Sequence, residues 1–235
     1  MPSNTTRPPS TPPSTSTPSN DDGSRWSSTT RTGAASFAMP DLLAKLGAEV
    51  MAVNPYVSTA GLLSYDRDRH AEHIARLVQA SGANLGALIG PDEEDLTLID
   101  DRGRVLDDTQ TMLAMLQLVA DRIDGDRIAL PVGTTSVAEE MLSRRGVTVE
   151  YTKMSNAALM DAATEPGVGF AANQQGGFVL PGFLPSFDAA AAFVKVLDLL
   201  TCCMETSLSA VVDEAPAGPH RAARPSSPPG SRRGW

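Results

Sequence analysis

Apolar and polar positions follow two different spacings along the middle of the chain, and these spacings predict strands and helices in turn. FAMPDLLAKLG predicts a short helix and AEVMAVN a buried strand. Further on, Ile74, Leu77 and Val78 recur at helical spacing with charged residues opposite them, and Gly82 follows as a stop signal. NLGALI is a continuous apolar run typical of a buried strand, whereas DLTLID alternates as a half-buried strand does.

The alternation of helix and strand continues to the end of the apolar part of the chain. A helix capped by Asp107 or Asp108 is predicted first. It is followed by strand DRIALPV, helix TSVAEEMLSRRG, strand VTVEYT, helix NAALMDAAT, strand VGFAAN, turn QQGG and one long closing helix, FDAAAAFVKVLDLLTCCMETSL. Such alternation predicts an α/β fold with a largely parallel sheet. A break near Gly125 divides it into two consecutive units, residues 37–124 and 125–213.

The two ends of the chain have a different composition. Residues 1–36 consist mostly of Ser, Thr, Pro, Asn, Gly and Arg, and residues 214–235 are similar. Such segments bury too little apolar area to offset the entropy of ordering them. Both ends are therefore predicted to be disordered, which leaves residues 37–213 as the folded part.

The charge divides in the same way. The chain carries −9 overall, and its two ends hold seven arginines against three acidic residues, so residues 37–213 carry −13. A part this acidic is a poor partner for nucleic-acid phosphates or anionic lipid, so neither nucleic-acid nor membrane binding is expected. Cys202 and Cys203 are adjacent and no other cysteine exists. No disulfide framework is expected, and a cytoplasmic location is predicted.

An acidic stretch at residues 92–95 is the first candidate for chemistry. Its four acidic residues follow the strand NLGALI after Gly90 and Pro91. Carboxylate oxygens are the ligands that a hard cation such as Mg²⁺ prefers, whereas four like charges in a row are also typical of a solvated turn. The stretch therefore predicts either a cation site or a solvated hairpin tip.

Two further groups of residues carry weaker signals. Thr134, Thr135 and Ser136 stand before a predicted helix, where they are expected to cap it and could contact an anion. His70 and His73 lie three apart on a charged helix, but a zinc site needs further ligands and none is evident nearby. The histidines are therefore interpreted as exposed helix residues.

Five segments follow one another in a distinctive order along the chain: LGAEV, GANLGALIGPDEEDLTLIDDRGRVLDD, the Thr-x-x-Ser of residues 152–155, QQGGF and FDAAAAF. This ordered series resembles the alpha-D-phosphohexomutases, the family of the phosphomannomutases and phosphoglucomutases. This resemblance covers residues 33–213 and implies two consecutive α/β/α sandwich domains like the second and third domains of that family. Segments such as GRVLDD and FDAAAAFV are also similar to the mutase-like C-terminal region of actinobacterial mannose-1-phosphate guanylyltransferases.

The family's metal loop is altered in this chain. That loop reads Asp-Gly-Asp-x-Asp-Arg and aligns with residues 90–95, where Gly90 replaces the first aspartate. Asp92 and Glu94 are the carboxylates left at the aligned ligand positions, and Asp95 replaces the arginine. The resemblance therefore implies a degenerate metal loop that would hold Mg²⁺ only loosely.

The family's sugar loop is altered as well. It reads Gly-Gly-Glu-x-Ser-Gly-His and aligns with residues 176–182, where Phe178 occupies the place of the glutamate that accepts sugar hydroxyls. Gly176 and Gly177 remain. They are expected to serve the geometry of the backbone alone.

Two functions follow from the resemblance. The family's phosphoserine loop and its fourth, phosphate-binding domain are not recognisable here, so a non-catalytic scaffold or a gene fragment is expected. No cofactor is expected, and a sugar nucleotidyltransferase or a phosphosugar is the expected partner. The alternative is an active phosphomannomutase, which would use Mg²⁺ while it moves phosphate between C6 and C1 of a hexose.

Overall fold

The computed structural model of the protein describes residues 25–27, 43, 49–53, 65–202 and 207–215, and all structural statements concern these residues. The strands are β1 (Arg25–Ser27), β2 (Glu49–Met51), β3 (Leu85–Ile89), β4 (Leu96–Asp100), β5 (Arg127–Pro131), β6 (Thr148–Thr152), β7 (Val168–Ala172), β8 (Phe178–Leu180) and β9 (Leu184–Phe187). The helices are α1 (Arg67–Ser81), α2 (Asp108–Val119), α3 (Ser136–Ser143), α4 (Asn156–Ala163), α5 (Ala189–Cys202) and α6 (Leu208–Glu214). The short helix predicted before β2, apart from Leu43, lies outside the described residues, as do most of both chain ends.

The first sheet has the strand order β2-β1-β3-β4. Strands β2, β1 and β3 are parallel, and β4 runs antiparallel to β3. Strand β1 lies inside residues 1–36, and the disorder predicted for that segment as a whole stays a prediction. Trp26 is the backbone partner of both Val50 and Leu85, and pairing on both sides supplies main-chain hydrogen bonds that the composition of the segment does not reveal.

The second sheet has the strand order β6-β5-β7-β8-β9. Strands β6, β5 and β7 are parallel, whereas β8 and β9 form an antiparallel extension next to β7. The sequence pattern did not predict β8 and β9. Both are short, and Pro181 and Pro185 interrupt the apolar run, which is a pattern that argues against a strand.

The helices cover both sheets. The largest hydrophobic cluster takes side chains from α2, α3, α5 and α6 and from the inner faces of both sheets. Helix α1 packs on the opposite face of the first sheet, and α4 packs on the opposite face of the second. The predicted α/β class is confirmed. The division near Gly125 stays a prediction, since one hydrophobic cluster runs across both sheets.

Helix ends follow the capping signals in the sequence. Asp66 caps α1 by accepting a hydrogen bond from the Arg69 amide, and Gly82 ends the helix with φ of 68°. Asp107 is the cap of α2, and its side chain and that of Gln110 form a capping box. Of the two predicted caps of α2, the structure therefore selects Asp107.

Strand β4 is buried at all five positions, so the predicted half-buried alternation is wrong. Leu96 and Leu98 belong to the cluster between the sheets, while Ile99 packs with α1 on the other face. The polar residues of the strand face partners instead of water. Asp100 has no solvent exposure and accepts hydrogen bonds from two backbone amides and from the Arg104 side chain.

The closing helix predicted over residues 187–208 corresponds to α5, which ends at Cys202. A further helix, α6, was not predicted. It begins after Ser207, whose side chain caps it by accepting a hydrogen bond from the Ala210 amide. Across the described residues, no helix is long and apolar enough to cross a membrane.

Candidate functional site

Loops from both sheets meet beyond the carboxyl ends of the parallel strands. They are residues 90–95 after β3, residues 132–136 after β5, residues 153–155 after β6 and residues 173–177 after β7. In open α/β sheets, ligands bind beyond the carboxyl ends of the strands. These loops also contain every candidate residue from the sequence except the two histidines, so they form the candidate functional site.

The loop of residues 90–95, called the acidic turn below, is closed by its own hydrogen bonds. The Gly90 amide donates to the Asp95 carbonyl oxygen at 2.8 Å, and the Glu93 amide donates to the Gly90 carbonyl oxygen at 3.1 Å. One carboxylate oxygen of Asp92 accepts a hydrogen bond from the Glu94 amide at 3.3 Å. The Asp92 carboxylate thus helps to hold the turn together.

Glu93 has an unusual backbone and an unusual side chain. Its φ of 63° is the only positive value of a non-glycine residue in the described part of the chain. Its carbonyl oxygen accepts a hydrogen bond from the Ala189 amide at 2.8 Å. Its Oε1 atom is buried and finds no hydrogen-bond partner among the described residues. Both features oppose folding, because L-residues disfavour this backbone region and an unpaired buried oxygen loses its hydration.

Asp95 lies in a locally negative environment. Burial is the largest cause that raises the pKa of its carboxyl to about 6, and the neighbouring Asp92 raises it further. The guanidinium of Arg67 acts in the opposite direction. Arg67 is itself engaged, however, because it forms an ion pair with Asp108 and donates to the Thr97 hydroxyl at 2.9 Å.

This arrangement does not fit a bound Mg²⁺. In the described part of the chain, no three His, Cys, Asp or Glu side chains lie close enough together to hold a metal ion. A Cβ atom at Gly90, which aligns with the first aspartate of the phosphohexomutase loop, would lie 2.9 Å from Oδ1 of Asp92, so an aspartate at position 90 would displace the Asp92 side chain. That Asp92 and Glu94 are the remnant of a metal loop stays a prediction.

The loop of residues 173–177, called the glycine turn below, is organised by Asn173. This residue is 4% exposed, and its Oδ1 accepts hydrogen bonds from the amides of Gln175 and Gly177 at 2.9 and 2.8 Å. Its Nδ2 donates to Oδ1 of Asn156 at 3.3 Å. Sequence reasoning missed Asn173, although a polar residue that ends the apolar strand VGFAA was a signal for it.

Gly176 and Gly177 occupy positions that no other residue would fit without displacement. Gly176 has φ of 91°, and a Cβ atom there would lie 2.6 Å from the carbonyl oxygen of Leu96. A Cβ atom at Gly177 would lie 2.6 Å from Nδ2 of Asn173 and 2.8 Å from Cδ1 of Phe187. Close packing therefore explains both glycines, against the backbone of Leu96 at Gly176 and against the side chains of Asn173 and Phe187 at Gly177.

Phe178 follows the glycine turn but points away from the site. It is the first residue of β8, paired with Ala172 of β7, and its side chain is 1% exposed. Its ring belongs to the hydrophobic cluster between the two sheets. A side chain at this position therefore faces the core, and the loop surface is formed by other residues.

The loop of residues 132–136 combines helix capping with an exposed apolar edge. The Thr135 hydroxyl accepts from the Val137 amide at 3.4 Å, so Thr135 caps α3. The Thr134 hydroxyl is buried and has no hydrogen-bond partner among the described residues. Val132 is 54% exposed and Met154, on the neighbouring loop, is 67% exposed. Anion binding by Thr134, Thr135 and Ser136 stays a prediction.

The histidines of α1 lie apart from these loops. Nδ1 of His70 is 2.6 Å from the carbonyl oxygen of Asp66, and its ring lies 5.5 Å from that of Tyr65. His73 is exposed on the same helix. The exposure of His73 agrees with the sequence, whereas His70 is half-buried.

Comparisons with known proteins give similarities over most of this chain. No protein-family model matches it. The chain is 24% identical over 189 residues to a phosphoglucomutase/phosphomannomutase of Thermococcus kodakarensis, covering 80% of this chain and 41% of that protein. It is 27% identical over 171 residues to a phosphoglucosamine mutase of Paracoccus denitrificans, covering 72% of this chain and 38% of that protein.

Solved structures show the same fold. A phosphoglucomutase/phosphomannomutase family protein of Burkholderia thailandensis superposes with a TM-score of 0.68 and 17% identity, covering 82% of this chain and 43% of the other. Parafusin, a phosphoglucomutase of Paramecium, superposes with a TM-score of 0.63 and 15% identity, covering 84% of this chain and 37% of the other. The chain thus spans less than half the length of each of these relatives.

Proposed function

We propose that this chain is a non-catalytic scaffold of carbohydrate and nucleotide-sugar metabolism. Its similarities in sequence and fold support a phosphoglucomutase/phosphomannomutase-like family within the phosphohexomutase superfamily. Its partner in this proposal is a sugar nucleotidyltransferase. The observation that carries the proposal is the acidic turn, where Asp92 accepts a hydrogen bond from the Glu94 amide and, among the described residues, no three carboxylates lie close enough together to hold a metal ion.

Electrostatics argue against phosphoryl transfer at these loops. A transferring phosphoryl group carries negative charge that an enzyme neutralises with metal ions and cationic side chains. Here Asp92 adds negative charge that acts on Asp95, and the guanidinium of Arg67, which acts on Asp95 in the opposite direction, is already paired with Asp108. Burial is the largest cause of the raised pKa of Asp95, and the charge of Asp92 adds to it; negative charge at these positions would repel a phosphate dianion.

The polar side chains that could recognise a sugar are already engaged or buried. Sugar hydroxyls need well-placed side-chain donors and acceptors. Asn173 uses its side chain to organise the glycine turn, and Phe178 is buried in the core. Neither residue is available to a hexose without rearrangement of the loop.

A mutase assay tests the proposal on the full chain. Mannose-1-phosphate, Mg²⁺ and a hexose bisphosphate activator are supplied, and hexose-6-phosphate is measured with a coupling enzyme. The expected rate equals that of the no-enzyme control, since no covalent phosphoryl carrier is proposed. Turnover that survives repurification and is lost in Ser136→Ala would overturn the proposal in favour of an active phosphomannomutase.

The mutase function is the second candidate, and the placement of the four loops beyond the carboxyl ends of the strands favours it. A titration with mannose-1-phosphate, without activator, separates it from the scaffold. Heat of binding that disappears in Thr134→Val would support a phosphosugar site at the loop of residues 132–136. No heat is expected from a scaffold.

A further inference from the structure

Three segments from different parts of the chain meet through backbone hydrogen bonds at the acidic turn. The Leu96 amide, at the end of the turn, donates to the carbonyl oxygen of Gly176 at 2.9 Å. Asp95 and Gly177 form an isolated antiparallel bridge. The first amide of α5, that of Ala189, donates to the carbonyl oxygen of Glu93 at 2.8 Å. The first sheet is thereby joined to the glycine turn and to the start of α5.

We propose that the acidic turn is a clasp that fixes the glycine turn and the start of α5 to the first sheet without a metal ion. In this proposal the clasp consists of the contacts between residues 93–96, Gly176, Gly177 and Ala189. Motion of the glycine turn is then transmitted to the acidic turn and to α5. The clasp is independent of the proposed function, because it operates whether or not the chain transfers phosphate.

The main chain makes the clasp, so the identity of the acidic side chains is secondary to it. Each of the hydrogen bonds between the segments joins a backbone amide to a backbone carbonyl. The approach is close because Gly176 has no Cβ atom, which would lie 2.6 Å from the Leu96 carbonyl oxygen. An L-residue would also disfavour the φ of 91° at this position.

The contact with α5 satisfies a group that would otherwise lack a partner. The first amides of a helix have no acceptor within the helix. The Asp188 side chain accepts from the Ala191 amide at 2.8 Å, and the Glu93 carbonyl oxygen accepts from Ala189. Ala189 has no solvent exposure, so water is a poor substitute for this acceptor. Opening of the clasp would therefore loosen the start of α5.

Amide hydrogen exchange on the full chain tests the clasp directly. The amides of Leu96 and Ala189 should be protected together, because one opening motion exposes both. Millimolar Mg²⁺ should leave their protection and the melting temperature unchanged. Protection of these amides that rises with Mg²⁺ would overturn the proposal, since it would show that a cation organises the turn.

Two glycine variants separate the clasp from backbone strain. Gly176→Ala combines strain at positive φ with the clash at Leu96, whereas Gly146→Ala has a similar φ of 74° and open space around the added Cβ atom. Gly176→Ala should reduce the protection of Leu96 and Ala189 at least about tenfold more than Gly146→Ala does. Equal losses in the two variants would overturn the proposal.

A third variant keeps the test decisive if Gly176→Ala does not fold. Glu93→Gly retains the carbonyl oxygen that Ala189 uses and permits the φ of 63° without strain. The clasp therefore predicts that the protection of Ala189 is retained or increased in Glu93→Gly. A loss would show that the carboxylate side chain, and not the backbone, holds the contact, and would overturn the proposal.

Discussion

The ring of Phe178 stacks on that of Phe170, with ring centroids 5.9 Å apart and an interplanar angle of 25°. The pair joins β8 to β7 inside the cluster between the sheets. The next residue, Val179, points to the opposite face and packs with α4, as successive residues of a strand do. The segment after the glycine turn is therefore a core strand, with only its preceding turn at the candidate site.

A glutamate at position 178 should destabilise the fold strongly, because the side chain at this position faces the core. Phe178→Glu places a carboxylate in an apolar cluster and removes a buried ring, and each change destabilises a fold. The expected loss is about 3 kcal/mol or more in the free energy of unfolding, measured by urea denaturation. Phe183→Glu is the matched control, because Phe183 is 73% exposed. A small change in Phe178→Glu would contradict the buried position of the ring.

Asp95 should make stability depend on pH. Its pKa is about 6 in the folded protein, above the ordinary value of 3.8. Between pH 3.8 and about 6, the folded state therefore keeps a proton that the unfolded state releases. Stability is highest below pH 3.8 and falls as pH rises to about 6. Asp95→Asn should raise the free energy of unfolding by about 1 kcal/mol at neutral pH, a value that allows for solvent screening of a half-exposed group. Near pH 4 the substitution should leave the free energy of unfolding unchanged.

The pKa of Asp95 can be measured separately. Carboxyl chemical shifts followed by NMR should give a value near 6 in the natural sequence. After burial, Asp92 is the largest cause of the rise, so Asp92→Asn should lower the pKa of Asp95. An unchanged titration in Asp92→Asn would show that the two carboxylates do not interact.

Much of the fold follows from patterns that are local in the sequence. Apolar spacing and caps such as Asp107 predict α1, α2 and the parallel strands, because these elements bury a regular face. The buried faces of β4 and the pairing of β1 are set by distant segments. The antiparallel strands β8 and β9 were missed because prolines interrupt them and tertiary pairing outweighs their weak local signal.

The candidate site was predictable as a set of loops but not as a set of contacts. The sequence identifies the acidic turn and both glycines as unusual. It does not reveal that the Leu96 amide meets Gly176, because 80 residues separate the two and no side chain takes part. Asn173 was missed for the same reason: its role depends on the path of the turn that it organises.

Glu93→Gly should stabilise the protein. The left-handed backbone of Glu93 costs a non-glycine residue about 1–2 kcal/mol, and its buried Oε1 has no partner among the described residues. Glycine removes both effects but adds entropy to the unfolded chain, so the expected net gain is about 1 kcal/mol in urea denaturation. Glu94→Gly is the control and should lose stability, because φ at Glu94 is not positive. The opposite ranking would refute the account of Glu93.

The buried carboxylate of Asp100 should be the most sensitive charged position outside the candidate site. It has no solvent exposure, and it accepts hydrogen bonds from the amides of Arg102 and Arg104 and from the Arg104 side chain. Arg104 in turn reaches Asp213 of α6 at 2.8 Å, so the carboxylate also positions the last described helix.

Asp100→Asn keeps the shape of the side chain but removes its charge. It also places an amide NH₂ group, which donates hydrogen bonds, next to N–H groups of Arg102 and Arg104 that need an acceptor. Removing one partner of a buried ion pair costs about 3–5 kcal/mol when the other charge is left without compensation. The cost is smaller here, because Arg104 is 42% exposed and still pairs with Asp213. We expect a loss of about 2 kcal/mol in urea denaturation, together with faster hydrogen exchange in α6. Asp198→Asn, which removes the exposed ion pair with Lys195, is the matched control and should change stability by less than about 0.5 kcal/mol. Equal effects of the two substitutions would show that Asp100 is not a structural centre of this part of the fold.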